Sequence, residues 1–211
     1  MSRAQDSSAF IVEENDPPSR QAILRAALKL FVENGYEQTT IRAIADEAGY
    51  TNPALFKFFK NKEALGIHVF ERTYRELMLV LESVLRHDGP LQEAIPKWAD
   101  AFVKLLAERL HAVLFVHDHL ALFWPRVAKK FGGQSLFTLM TQWICRGRDS
   151  GRIGCDLPVS LQTAAVSGLF HQLAVMVHLG EIDRAALSTM SDKISVMLVN
   201  ILQGAAQPQR R

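Results

Sequence analysis

At 211 residues, 48% of them hydrophobic, the chain is long enough to bury one or two sizeable cores. A formal net charge of +2 is too small to name a nucleic-acid partner, so the placement of the charge has to carry that argument. Cys145 and Cys155 fit no zinc or CxxC spacing and read as reduced thiols, there is no signal-like N-terminal stretch, and no apolar run looks long enough to span a bilayer. These features predict a cytoplasmic, non-membrane protein without metal or cofactor. No period-2 run bounded by turn residues stands out, which predicts an all-α fold.

Residues 1–18 contain few apolar side chains, a Pro17-Pro18 pair and no helical period, and are expected to form a disordered tail. One cation, Arg3, faces Asp6, Glu13, Glu14 and Asp16, a balance that phosphate would repel. Ser19 then caps a helix with Ile23, Ala26, Ala27, Leu30 and Phe31 on one face, ended by Asn34-Gly35.

From Thr39 to Lys62 two short apolar-periodic segments flank a glycine. Ile41, Ile44, Ala45 and Ala48 recur at helical spacing, with Thr40 as cap. Gly49 can turn the chain left-handed where a Cβ would be penalised. Thr51 caps the second segment, Pro53 sits in its first turn, and Leu55 and Phe59 face inward. This is the pattern of a helix-turn-helix, whose second helix lies in a DNA major groove.

The stretch TTIRAIADEAGYTNPALFKFFKNKEAL resembles the DNA-binding segment of TetR-type transcriptional regulators. Thr39, Thr40, Ile44, Ala45, Ala48, Gly49, Leu55, Phe59, Lys62, Glu63 and Leu65 match the family pattern, and the close resemblance covers about residues 19–66. It implies an N-terminal three-helix DNA-binding domain (19–66), a larger helical effector-binding and dimerisation domain (67–205), about nine helices in all, and a loose tail (206–211). It also implies that the start of the first helix approaches phosphate; Arg20 is placed for that or is simply solvated.

The residues expected to touch DNA are Thr40, Thr51, Asn52, Pro53, Ala54, Phe56, Lys57, Lys60 and Lys62. Asn52 can bond an adenine edge or serve locally near the cap, whereas Pro53 and Ala54 offer only apolar contact, for example to thymine methyls. Three lysines in a short acid-free stretch complement a polyanion. The family often carries tyrosine where Phe56 stands and histidine or tyrosine where Phe58 stands. Neither phenylalanine donates a hydrogen bond, which predicts fewer phosphate hydrogen bonds per half-site.

Asn61 can cap a helix from Lys62 to about His87. Helical patterns follow at about 91–109, 111–123, 134–150, 158–179 and 184–203, separated at Trp124-Pro125, Gly132-Gly133, Gly151 to Asp156, and Gly180. The large apolar residues between Ala101 and Trp143 either form core or, as the resemblance implies, enclose an effector. Candidates for a small apolar or aromatic effector are Phe102, Phe115, His119, Phe123, Met140, Trp143 and His171. His117 and His119 point to different sides of a helix, so they form no metal pair. The last two helices are apolar on more than one face, which predicts a homodimer joined through Ala165, Gly168, Leu169, Gln172, Met176, Met190, Ile194 and Met197.

No reactive constellation argues for an enzyme. The resemblance implies a ligand-responsive regulator, most often a repressor, binding a pseudo-palindromic operator as a dimer. An activator of the same family, or a helical protein–protein module without an operator, is the alternative.

Overall fold

The computed structural model describes residues 11–13, 15–86, 89–154 and 156–203; Cys155 and the expected C-terminal tail lie outside them. Among these residues the chain is all-helical: α1 Pro18–Glu33, α2 Ile41–Ala48, α3 Asn52–Phe56, α4 Lys62–Leu85, α5 Leu91–Val127, α6 Leu136–Asp149, α7 Val159–His178 and α8 Ser191–Gln203. They divide into two compact units, one of residues 1–77 with 108–133, the other of 78–107 with 134–211. The chain is thus cut at three places, and not once near residue 66.

The first unit owes its core to helical spacing. Ile23, Ala27, Leu30 and Phe31 on α1 are buried, as are Ile44 and Ala45 on α2, Leu55 on α3, and Leu65, Val69 and Phe70 on α4. Phe59, expected as core, is buried. The later half of α5 belongs here because its rings do: Phe115 stacks on Phe31 at 5.5 Å, and Phe123 meets Tyr36 at 5.1 Å and Phe70 at 5.5 Å. Gly66 makes room for this, since a Cβ there would stand 2.7 Å from the Tyr36 ring and 2.9 Å from that of Phe123.

Helix α1 starts at Pro18 rather than after Ser19, with Pro17 at the cap. A proline at the first helical position has no N–H to leave unsatisfied, so a serine cap is not required. Much of the expected tail is anchored: Ile11 is fully buried, Glu13 pairs with Arg72 at 2.6 Å, and buried Asp16 pairs with Arg20. Residues 1–10 are outside the described part.

Two expected breaks in 91–127 behave differently. Near residue 110 the chain does leave helical geometry, at Arg109 (φ −139°, ψ 35°), whose guanidinium is held by Glu76. At Pro125 the helix continues to Val127 and only then tightens into a 3₁₀ turn over Ala128–Phe131. The proline removes one hydrogen bond, but three residues of the last turn still wind.

In the second unit the core is built from Trp98, Phe102, Met140, Trp143, Ile144, Val166, Ala174, Ile194, Leu198 and Leu202. Trp98 meets Trp143 and Phe170 edge-on, and Phe102 stacks on Phe170 at 4.0 Å. The expected helix 184–203 is a 3₁₀ segment, Arg184–Met190, followed by α8. By length and composition alone Arg184–Gln203 would suffice to cross a membrane, contrary to the sequence reading; 22% of its apolar window is buried, and Asp192 and Lys193 interrupt it.

Candidate nucleic-acid interface

The α2–turn–α3 segment takes the geometry that its residues prescribe. The Thr40 hydroxyl accepts from Ala43 N at 3.1 Å, and Gly49 adopts φ 74° with its N–H bonded to α2 carbonyls. Thr51 occupies the cap position before α3 in extended conformation, but its side chain makes no capping bond. Pro53, two residues on, has no N–H to offer, and Ala54 N bonds to the Thr51 carbonyl at 3.0 Å instead. The expected Thr51 side-chain cap is therefore not formed.

Of the residues expected to touch DNA, Thr40, Thr51, Pro53, Lys57 and Lys60 are exposed, and Asn52 and Ala54 are half-exposed. Phe56 is 50% exposed, so its ring is partly presented to solvent. Lys62 differs from the other lysines. Its Nζ donates to the carbonyls of Tyr36 at 3.0 Å and Glu37 at 3.1 Å, and lies 4.6 Å from the centre of the Tyr36 ring. The ammonium thus latches the start of α4 to the segment between α1 and α2. Asn61 caps α4 by accepting from Ala64 N at 2.8 Å.

Beside the latch is a cleft of about 370 Å³ lined by Tyr36, Glu37, Asn61, Lys62, Glu63, Leu122, Phe123 and Arg126. Its charges are balanced, with Arg126 paired to Glu63 at 3.1 Å. Burial pushes the Tyr36 phenol above its usual range, with Glu37 and Glu63 adding to the effect and Arg126 opposing it.

At the start of α1, Arg20 is engaged by Asp16, approaches His68 Nε2 at 3.3 Å and lies over the Phe59 ring. Burial, then the nearby Arg20 and Arg72, lower the His68 pKa, while Glu71 and Asp16 oppose the shift. The sequence reading missed this cluster: Asp16 and His68 are far apart in the chain, and nothing local marks them as partners. It missed Tyr50 as well, 37% exposed at the turn.

The effector candidates are divided between the two units. Phe115, His119 and Phe123 belong to the first unit, where Phe115 and Phe123 are fully buried and His119 Nδ1 lies 3.0 Å from the Phe115 carbonyl. Phe102, Met140, Trp143 and His171 belong to the second. Trp143 is 2% exposed, and its indole N–H has no hydrogen-bond partner among the described residues. Of the interface candidates, Ala165, Gly168, Gln172 and Met197 are exposed, and Leu169, Met176 and Met190 are half-buried. Ile194 is buried in its own chain, because it lies four residues from Leu198 on the core face of α8; it drops out of the interface set.

Residues 23–69 match the family model for bacterial regulatory proteins of the tetR family. The chain is 28% identical to a fatty acid metabolism regulator protein of Bacillus subtilis over 90 residues, 43% of this chain and 46% of the relative. It is 46% identical to the class C tetracycline repressor protein of Escherichia coli over 46 residues, 22% of this chain and 21% of that one. It therefore spans less than half the length of these curated relatives. The fold matches the solved structure of the transcriptional regulator FadR from Bacillus subtilis in complex with stearoyl-CoA, with a TM-score of 0.65 at 20% identity over 89% of this chain and all of that one. The α2–turn–α3 segment thus lies inside the residues that match the tetR family model, and beyond them the chain shares its fold with that solved structure.

Proposed function

We propose that the protein is a cytoplasmic, homodimeric transcription regulator that binds a pseudo-palindromic DNA site and is released by a small, largely apolar effector. The observation that carries the reading is the α2–turn–α3 segment: a capped helix, a left-handed glycine turn and a short second helix whose outward residues are Asn52, Pro53, Lys57 and an exposed Phe56. In such a motif the start of the second helix reads base edges. Lys57 and Lys60 are the phosphate contacts, Asn52 the base reader, and Phe56 an apolar contact.

The effector reading narrows to the second unit. A buried donor without an acceptor costs about 1–3 kcal/mol. The Trp143 indole, edge-on to Trp98, would recover that with an acceptor atom of a ligand. A relative solved with stearoyl-CoA supports a long-chain acyl compound as the first probe. A 100-fold loss of DNA affinity requires about 2.7 kcal/mol of effector preference for the DNA-incompetent state.

Dimerisation is supported by two exposed apolar stripes. On α7, Leu161, Ala164, Ala165 and Gly168 share one side, Leu179 at its C-cap is exposed, and on α8 Val196 and Met197 are exposed. A Cβ at Gly168 would meet nothing within 4 Å in its own chain. Gly168→Arg should therefore leave the fold intact and give a monomer in sedimentation; a dimer of unchanged mass would remove this face from the interface.

The deciding experiment is selection of a duplex from a random pool, followed by titration with long-chain acyl-CoA. A palindromic product whose binding weakens with salt and with the acyl-CoA is expected. No preference over random duplex would favour a helical protein–protein module. Increased transcription from a promoter carrying the selected site would make the protein an activator rather than a repressor.

A further inference from the structure

Among the described residues of the first unit, two large apolar side chains stand exposed, Tyr50 and Phe56, and both lie in the α2–turn–α3 segment. Tyr50 does not dangle from a loose loop. Its N–H bonds to the Ala45 carbonyl at 2.9 Å, Gly49 before it holds the left-handed turn, and Thr51 after it is extended at the head of α3. The phenol oxygen has no hydrogen bond among the described residues.

The short second helix is poor in neutral donors. Pro53, Ala54, Leu55, Phe56, Phe58 and Phe59 have no polar side-chain atom, leaving Asn52 with the charged Lys57 and Lys60. The free hydroxyl nearest to this helix in sequence, apart from that of Thr51, is that of Tyr50. A residue just outside the first turn of a recognition helix borders the base-reading positions, where the sugar–phosphate strand runs. A tyrosine hydroxyl is a regular donor to phosphate oxygens there.

We propose that Tyr50 is a DNA-backbone contact, its phenol donating to a phosphate oxygen beside the half-site and replacing donors that Phe56 and Phe58 do not have. This rests on the DNA-binding reading above. The rigid turn holds the phenol in place before DNA arrives, so little ordering entropy is spent on contact.

The test compares the full-length protein with Tyr50→Phe on the selected operator and on random duplex, at several salt concentrations. Tyr50→Phe keeps the ring and removes the donor. Both affinities should fall by about 10-fold for each half-site occupied, as for loss of a hydrogen bond to a charged group. The operator-to-random ratio should stay constant. The salt slope should also stay constant, because a neutral phenol displaces no counterion. An unchanged thermal midpoint shows that the variant is folded, and Tyr50→Leu provides a second donor-free side chain if it is not. Wild-type affinity of the donor-free variants on both duplexes overturns the proposal. So does a loss confined to one base pair, which would make Tyr50 a base reader. If the wild-type protein binds no duplex, the DNA-binding reading itself fails, which is a separate outcome.

Discussion

Gly66→Ala sets two effects of opposite sign against each other. In the interior of α4 an alanine stabilises the helix by about 1 kcal/mol over glycine, by restricting the unfolded chain. Gly66 has an ordinary helical backbone, so no positive φ opposes the change. The new methyl, however, would stand 2.7 Å from one ring carbon of Tyr36 and 2.9 and 3.3 Å from two of Phe123. Neither ring can yield: Tyr36 is 7% exposed and set against Phe31 at 5.0 Å, and Phe123 is fully buried against Phe70 and Phe115. Overpacking of this kind costs about 1–3 kcal/mol, and two immobile rings place it in the upper part of that range. The net effect should be a loss of about 1–2 kcal/mol. Urea unfolding at fixed protein concentration reads it as a lower midpoint with an unchanged slope. A midpoint equal to or above wild type would refute the close packing of α4, α5 and Tyr36.

Lys62→Ala removes two hydrogen bonds to the carbonyls of Tyr36 and Glu37 and should cost about 1 kcal/mol, partly screened by solvent. If Lys62 also meets phosphate, the salt slope falls by about one unit, and an unchanged slope would leave it a latch only. His68 tests a pH effect. Its folded-state pKa lies below the unfolded value of about 6.5 because of burial and the adjacent arginines. The native state therefore binds fewer protons, and stability present above pH ~6.5 is lost as pH falls through the folded value. His68→Gln should flatten urea midpoints between pH 7.5 and 5; parallel pH curves would discount the cluster. Gln162 is fully buried, donates to the carbonyls of Ile201 and Leu202, and accepts from Arg148. Gln162→Leu strands the two carbonyls, while Arg148 keeps its bond to the Leu157 carbonyl, and should lower stability by about 1–2 kcal/mol in the same assay. Trp143→Phe, by contrast, removes an unpaired donor but also buried indole volume packed against Trp98, so the two effects oppose and the urea midpoint should shift less than for Gln162→Leu. If the proposed acyl-CoA probe binds, the variant should weaken that binding in calorimetry, and unchanged binding would take the indole out of the proposed effector site.

The helix-turn-helix was legible in the chain because its determinants are local. Thr40 caps at three residues' distance, Gly49 is at a position that disfavours a Cβ, and the apolar period places Ile44, Ala45 and Leu55 inward. The same local logic found the start of α4 at Asn61 and the break near residue 110. It fails at proline as a full stop: Pro125 is carried inside the last turn of α5. The N-terminal acids read as a repelled tail because their cations, Arg72 and Arg20, become partners only through folding.

An exposed aromatic and a buried one look alike in sequence, and only tertiary contacts separate them. The family resemblance groups Phe115 and Phe123 with Phe102 and Trp143 as effector candidates, and the fold packs the first two in the first unit against Phe31, Tyr36 and Phe70. Ile194 and Met197 were grouped as one interface, and α8 turns the first inward and leaves the second exposed. Sequence by itself determined most of the helices and the α2–turn–α3 motif, though not every boundary, since turns, caps and periodicity act within a few residues. The three-dimensional structure decided which rings share a core, which lysine is held by carbonyls and which phenol is left open, because those depend on residues brought together across many positions of the chain.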